Sequence, residues 1–197
     1  WSGGLAVFDP ATGLSKNYIL EDSRLYTIEV GDPHWVYAGS WGGGLFILDR
    51  NTEHIERIIS NSEDPFSLSH NIIYSFLHDD AGLLWIGTNG GGVNKLDRNR
   101  DRLLLYKKDP KNPGSLQSDF VTAVVKDKDG TLWVGSYSGG LSRLDPGSST
   151  WVHYEHDPKN LNSLPNNIIN GLAVDRNNVL WIATNEGLSR FDKKGKV

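Results

Sequence analysis

An all-β fold made of repeated four-stranded antiparallel units is predicted by three features of this 197-residue sequence. First, one segment recurs with a fixed period of 48 residues. Second, each repeat divides into short β-branched and aromatic runs that are separated by Gly, Asn and Asp. Third, no stretch of helical length carries the 3.6-residue apolar period that a helical solenoid would need. β-Propeller blades, which are four-stranded sheets, fit all three features.

The repeat is clearest around an aromatic residue in the second strand of each unit. Three segments nearly copy one another and a fourth is more distant: 83–97, 131–145, 179–192 and 35–49. Their aromatic residues lie 48 positions apart: Tyr37, Trp85, Trp133 and Trp181. We predict that these four side chains are structural and pack between neighbouring blades, because a single blade cannot bury both faces of its sheet.

Further elements keep the same period. Ser-Leu recurs with this period at 67–68, 115–116 and 163–164, and an Asp-Pro lies shortly before each, without a fixed period, at 64–65, 109–110 and 157–158. An aspartate ends the first strand of three units, as Asp79, Asp127 and Asp175. We expect each Leu to be buried, each Ser to bond locally, and each Asp to accept hydrogen bonds from the backbone of its turn.

The four strands of one unit can be placed within 71–108. The apolar run 71–79 forms the innermost strand beside the channel, and 83–88 follows a turn. A glycine turn leads to 92–97, and the more polar run 102–108 forms the rim. The same division predicts a half blade at 1–20, blades at 25–60, 71–108 and 119–155, and a partial blade at 167–192.

These units amount to about four blade equivalents, which favours a partial propeller with an unpaired sheet edge at each end. A closed four-bladed ring is the alternative. Methionine is absent and the first residues have the pattern of a strand interior. We therefore expect the chain to be a piece of a longer protein.

Composition and charge exclude several classes of function. A net charge of −4 without a basic cluster argues against a nucleic-acid platform. The absence of cysteine excludes disulfides, thiol nucleophiles and Cys-ligated zinc. The glycine runs 42–44 and 90–92 precede strands, whereas a phosphate-binding loop precedes a helix. We predict neither a metal nor a cofactor.

The repeat resembles that of the two-component regulator propeller. The matching segments are 84–88 with 91–92, 132–136 with 139–141, and 180–184 with 187–188, together with the Ser-Leu and Asp-Pro elements. Departures are Tyr37 in place of Trp, Asn177-Asn178 in place of an Asp-Gly turn, and one glycine fewer before Gly187.

The resemblance implies a non-catalytic periplasmic propeller that senses ligands, above all glycan breakdown products, for a hybrid two-component histidine kinase and response regulator anchored in the inner membrane. It implies an oligosaccharide or another small molecule as ligand. It also implies further blades, downstream sensor domains of the parent protein and a homodimer as partners. No nucleic-acid partner and no membrane segment in this chain are expected.

A candidate ligand site follows from propeller geometry. The loop between the second and third strands should open on the same face as the loop that leads into the next first strand. One position before the glycines varies between repeats: Trp41, Asn89, Tyr137 and Asn185, with Trp1 in the half blade. The leading loops add His70, Asn71, Asp119 and Asn167.

Aromatic faces stack on apolar surfaces, and amides supply paired donors and acceptors for hydroxyl groups, which suits a sugar site. The structural alternative is that Asn89 and Asn185 only tolerate positive φ in a turn. Trp41 and Tyr137 would then cap the core between blades.

Two other functions stay open. Some propellers, such as streptogramin-lyase-like enzymes, carry a catalytic His near the channel. His70 is the candidate here, since its equivalents Ser118 and Asn166 are not histidine. A protein–protein scaffold would instead use Trp41 and Tyr137 as contacts with another chain.

Overall fold

The computed structural model describes residues 4–22, 24–31, 33–98 and 102–191, and the all-β prediction is confirmed. Seventeen strands form five antiparallel sheets, each made of strands that are consecutive in the chain. These ranges contain no helix, and so none that could cross a membrane.

An N-terminal hairpin precedes four blades. The hairpin consists of β1 (Leu5–Asp9) and β2 (Leu14–Tyr18). Blade 1 consists of β3 (Leu25–Glu29), β4 (Trp35–Ser40), β5 (Leu45–Asp49) and β6 (Ile55–Ile58). Blade 2 consists of β7 (Ile73–His78), β8 (Leu84–Thr88), β9 (Val93–Asp97) and β10 (Arg102–Tyr106). Blade 3 consists of β11 (Val121–Lys126), β12 (Leu132–Ser136), β13 (Leu141–Leu144) and β14 (Val152–Tyr154). Blade 4 has three strands, β15 (Ile169–Val174), β16 (Leu180–Thr184) and β17 (Gly187–Phe191).

The core lies between the blades. Tyr37, Leu45 and Ile47 of blade 1 pack against Ile73 and Ile86 of blade 2. The same arrangement joins blade 2 to blade 3 through Trp85 and Val134, and blade 3 to blade 4 through Trp133 and Ile182. The hairpin covers the other side of blade 1, where Leu5 contacts Val36 and Leu48. Each inner blade therefore buries its two faces only by stacking on neighbours.

The repeated aspartates do more than hold their turns. Asp127 accepts hydrogen bonds from the backbone N–H groups of Asp129 and Thr131 at Oδ1, which confirms the predicted turn bonding. Its Oδ2 accepts a third, from Trp133 Nε1 at 3.0 Å. Asp79 with Trp85 and Asp175 with Trp181 repeat the pair at 3.0 and 3.1 Å. The periodic Asp and the periodic Trp thus form one hydrogen-bonded pair in each of these three blades.

Blade 1 lacks both members of this pair at once. Gly31 occupies the aspartate position and Tyr37 the tryptophan position. A Cβ atom on Gly31 would lie 2.8 Å from Cβ of His78, whose ring stacks on Tyr37 at 6.3 Å between centroids. The histidine of blade 2 therefore fills the space in which a carboxylate would stand.

The Ser-Leu element is a loop anchor, as predicted. Leu68, Leu116 and Leu164 are buried. Ser115 Oγ accepts a hydrogen bond from Asp109 N and Ser163 Oγ accepts one from Asp157 N, and Ser67 Oγ does the same with Asn61 N. Asn61 is therefore the equivalent of Asp109 and Asp157. Asp64-Pro65 also precedes its Ser-Leu element, but it lies three residues later in the loop than Asp109-Pro110 and Asp157-Pro158.

Removing a buried aspartate should weaken the inter-blade core. Asp127→Ala leaves two backbone donors and the buried Trp133 indole N–H without this acceptor, so we expect a loss of about 3 kcal/mol in the free energy of unfolding. Urea denaturation measures it. The control is Glu63→Ala, an exposed position that should change stability by less than about 0.5 kcal/mol. A loss below about 1 kcal/mol for Asp127→Ala would contradict the assignment.

Stability should fall on acidification because of Asp79. Burial raises the pKa of this carboxyl, but hydrogen bonds from Trp85 and Leu83 and the Lys126 ammonium at 3.3 Å outweigh it and hold the pKa below the usual 3.8. The ionised form therefore stabilises the fold above that value, and its contribution is lost as the pH falls through the folded-state pKa.

We expect the free energy of unfolding to decrease between about pH 4.5 and pH 2, and Asp79→Asn to flatten this decrease. Urea denaturation across that range measures the slope. Asp80→Asn, on the adjacent exposed residue, should leave the slope as in the parent protein. Equal slopes for Asp79→Asn and the parent protein would refute the role of Asp79.

Candidate functional site

The loops between second and third strands lie on one face of the arc of blades, together with the loops that lead into first strands. We call this the loop face. Trp41 pairs with Ile72, and Asn89 with Phe120, as isolated bridges from one blade to the start of the next. Backbone hydrogen bonds fix the four variable loop residues, since Trp41, Asn89, Tyr137 and Asn185 each donate to a carbonyl that precedes or opens the first strand of the same blade. Neither Asn89 nor Asn185 has positive φ, so that structural alternative does not apply.

Three of the predicted site residues hold the blades together. The Oδ1 atoms of Asn71, Asp119 and Asn167 accept hydrogen bonds from the N–H groups of Ser60, Lys108 and His156, at the end of the preceding blade. Their backbone carbonyls accept further bonds from the loop glycines of that blade. These side chains therefore join neighbouring blades by hydrogen bonds. The oxygen that accepts each bond is the one that a ligand would otherwise use.

His70 has a local structural partner. Its Nδ1 accepts a hydrogen bond from Ile72 N at 3.1 Å. Asp22, Ser118 and Asn166, at the same place in the other repeats, accept the equivalent bond from the N–H two residues ahead. Four different residue types thus stabilise the same turn in four repeats. Among the described residues, no three His, Asp or Glu side chains converge as metal ligands would.

Aromatic side chains gather on the loop face of blades 1 and 2. The rings of Tyr26, Trp41 and Tyr74 are mutually in contact, with centroids 5.7, 5.3 and 5.6 Å apart. We call these three residues the aromatic triad. Half of Tyr26 is exposed, while Trp41 and Tyr74 are half-buried. Edge and tilted contacts at these distances are favourable and leave ring surface available on the outside.

A cavity of about 200 Å³ adjoins the triad. Its walls are Tyr74, Asn89, Phe120, Thr122 and Tyr137. Three of the four predicted loop residues, Trp41, Asn89 and Tyr137, therefore lie in one continuous region. Asn185 lies apart on blade 4, where its Oδ1 accepts a hydrogen bond from Asn170 Nδ2 at 2.9 Å.

Sequence reasoning missed one position of the first strand. Residues 26, 74, 122 and 170 lie 48 apart, and strand pairing shifts by one residue at each of them, in a β-bulge. A bulge leaves one residue out of the ladder and can re-aim its side chain. The available signal was chemical variation, because this position holds Tyr, Tyr, Thr and Asn whereas the preceding one is always Leu, Ile or Val.

Tyr74 is the centre of the region. Burial raises the pKa of its phenol above 10.0, and Tyr26 and Tyr137 add to the effect. Tyr74 is therefore a neutral hydroxyl at neutral pH, able to donate or accept a hydrogen bond.

Comparison with known families finds a match to the repeat. A family model described as "two component regulator propeller" matches residues 67–90, 115–138 and 163–186. Each match begins at a Ser-Leu anchor and ends in the loop that carries the variable residue. No curated protein sequence matches the chain significantly.

Solved structures share the fold. The extracellular domain of a hybrid two component system from B. thetaiotaomicron has a TM-score of 0.79 at 22% identity, over 96% of this chain and 25% of that one. A second such domain from the same organism has a TM-score of 0.75 at 23% identity, over 95% and 23%. Virginiamycin B lyase from Staphylococcus aureus, in a catalytically inactive form, gives 0.71 at 11% identity, over 99% and 61%. The chain thus spans about a quarter of the extracellular domains that it matches.

The loop glycines provide a matched test of close approach between strands. Gly82 and Gly92 have φ of 76° and 77°, but only Gly92 is crowded: a Cβ there would lie 2.2 Å from the carbonyl oxygen of Tyr106. We expect Gly82→Ala to cost about 1 kcal/mol, the backbone cost alone, and Gly92→Ala to cost at least about 3 kcal/mol. Urea denaturation of both variants measures the difference. Equal losses would show that the crowding at Gly92 is relieved at no cost.

Proposed function

We propose that this chain, which carries repeats of the two component regulator propeller family, belongs to the sensor region of a hybrid two-component system and binds an oligosaccharide at its loop face. The observation that carries the proposal is the continuous region formed by the aromatic triad and the adjoining cavity. It combines ring surfaces with a few neutral polar groups, the composition that a small-molecule site requires.

Exposure favours binding at this region over a purely structural role. The side chains of Tyr26, Phe120 and Tyr137 are 50, 49 and 59% exposed, although the backbone of each residue is part of a blade. Large aromatic surfaces clustered on one face commonly mark a binding site. Aromatic rings pack against the C–H faces of sugars, and the amide of Asn89 can bond to hydroxyl groups.

The proteins that share the fold support a proposal for the wider role. The solved sensor domains are extracellular domains of hybrid two component systems. We place this chain likewise outside the cytoplasm, in the periplasm, as part of a membrane-anchored histidine kinase. Its partners would be further blades and downstream sensor domains of that protein, and a second copy in a signalling dimer.

An enzymatic role has less support. The lyase fold is shared at only 11% identity, and the candidate base His70 accepts a backbone hydrogen bond in a turn that other residue types form equally. A scaffold that binds another protein through the same aromatic residues is the second candidate, since their exposure would serve it equally well.

Glycan-array screening followed by calorimetry tests the proposal. We expect an oligosaccharide to bind the chain, and Trp41→Ala and Tyr137→Ala each to weaken it about tenfold or more through lost ring contacts. Phe8→Ala is the control, because Phe8 is a 63% exposed aromatic on β1. Thermal unfolding of each variant verifies the fold.

Three outcomes separate the candidates. Binding that is lost in both ring variants and kept in Phe8→Ala supports the sensor. If binding is unchanged in both ring variants, the site does not lie on the loop face. Absence of glycan binding, with another protein captured through Trp41 and Tyr137, favours the scaffold.

A further inference from the structure

Each blade presents a pair of side chains to the loop face: the bulged residue of its first strand and the variable loop residue 15 positions later. The pairs are Tyr26 with Trp41, Tyr74 with Asn89, Thr122 with Tyr137, and Asn170 with Asn185. Their chemistry changes from wholly aromatic in blade 1 to wholly amide in blade 4. The mixed pairs of blades 2 and 3 enclose the cavity, with Phe120 between them.

From this arrangement we propose that the cavity between blades 2 and 3 binds one uncharged pyranose ring of the oligosaccharide, with Tyr74 as the wall that this subsite shares with the aromatic triad. The inference rests on the proposed function and specifies which sugars the site selects. It also assigns a binding role to Tyr74, which the loop pattern alone does not reveal.

The walls are neutral. Three aromatic rings, two of them phenols, line the cavity together with one amide and one aliphatic hydroxyl, and none of these groups is charged at neutral pH. Thr122 donates its hydroxyl proton to the carbonyl of Ile169 at 2.6 Å, so it offers a ligand only acceptor capacity and a methyl group. The amide of Asn89 bonds to no other described side chain or backbone group, so both its donors and its acceptor are available to sugar hydroxyls.

Charged groups lie on the other side of Phe120. A separate cavity of about 320 Å³ shares that ring and contains Lys108, Asp119 and Glu155. The phenyl ring therefore divides a charged cleft from a neutral one. A carboxylate or sulfate in the neutral cavity would lose its hydration without gaining a cation, and desolvating an unpaired charge is costly. The cavity should accordingly reject uronic acids and sulfated sugars.

The size of the cavity limits its occupant to a single ring. Its 200 Å³ is below the range of about 300–1,000 Å³ typical of sites that enclose drug-sized ligands. Adjacent sugar units would then lie outside it, against the exposed surface of Tyr26 and Trp41.

Calorimetry with two sets of probes tests the inference on the chain. The neutral set contains hexasaccharides from cellulose, xylan, mannan and amylose, and the anionic set contains hexasaccharides from polygalacturonate and chondroitin sulfate. We expect a member of the neutral set to bind. Tyr74→Ala should weaken it about tenfold, and Tyr74→Phe, which keeps the wall, should stay within about threefold of the parent protein.

Asn89→Asp probes the charge of the occupant at nearly constant shape. A carboxylate still accepts hydrogen bonds from hydroxyl groups but has no N–H to donate, so binding of a neutral ring should weaken by only about threefold to tenfold. An anionic ring beside it would be repelled, and its binding lost. Phe8→Ala again serves as the control, and thermal unfolding shows whether Tyr74→Ala is folded at the temperature of the titration.

The outcomes distinguish this inference from the proposed function. Preferential binding of an anionic hexasaccharide that Tyr137→Ala abolishes would overturn the neutral-ring inference and leave the sensor proposal intact. If a folded Tyr74→Ala variant still binds a neutral hexasaccharide as tightly as the parent protein, no sugar ring occupies this cavity. If neither set binds, the proposed function fails and the inference fails with it.

Discussion

Burial of apolar sheet faces between consecutive blades is the constraint on which the rest of this structure depends. A four-stranded blade has two apolar faces and no helix to cover either. Each face is covered only if the next blade approaches closely, so stability is shared along the array rather than held within one blade. The close approach is visible at Gly39, Gly87 and Gly135, where an added Cβ would lie within 2.7 Å of Ile73, Val121 and Ile169, each on the first strand of the next blade.

Polar groups at each boundary are satisfied by the same repeat. The carbonyls of Asn71, Asp119 and Asn167 receive the loop N–H groups of the preceding blade, and their side chains receive the N–H that follows its last strand. Backbone groups buried at a boundary would otherwise lack partners, which is costly. Because this network fixes the loop backbone, the side chain at the variable loop position can change without changing the fold. Trp41, Asn89, Tyr137 and Asn185 occupy equivalent backbone positions with different chemistry.

The sequence predicts the architecture well because periodicity reports burial directly. The buried leucines at 68, 116 and 164 and the turn aspartates follow from the period of 48 alone. Interactions between periodic elements are harder to predict. The bond from Trp133 Nε1 to Asp127 joins residues on the two sides of one hairpin turn, and spacing does not show that both side chains point to the same face. The joint replacement by Gly31 and Tyr37 in blade 1 was the available hint.

The candidate site was only half predictable. Loop glycines mark the variable position that follows the second strand, so Trp41, Asn89 and Tyr137 could be named from the pattern. The bulged positions could not, because a one-residue shift in pairing is a property of two strands together and leaves no fixed residue type. Asn71, Asp119 and Asn167 lie on the predicted face. Each of these side chains, however, accepts the same hydrogen bond from the preceding blade, so the recurrence of Asn or Asp at this position reflects structure.

The position of the cavity connects binding to the stacking of blades. Tyr74 and Asn89 come from blade 2, whereas Phe120, Thr122 and Tyr137 come from blade 3. A ring held among them contacts both sides of a boundary, so its binding free energy adds to the contacts that keep the two blades together. Thr122 extends the connection further, because its hydroxyl bonds to Ile169 on blade 4. A ligand bound at this position would therefore favour one relative placement of three blades, which is the kind of differential interaction that the proposed sensor needs in order to shift a conformational equilibrium.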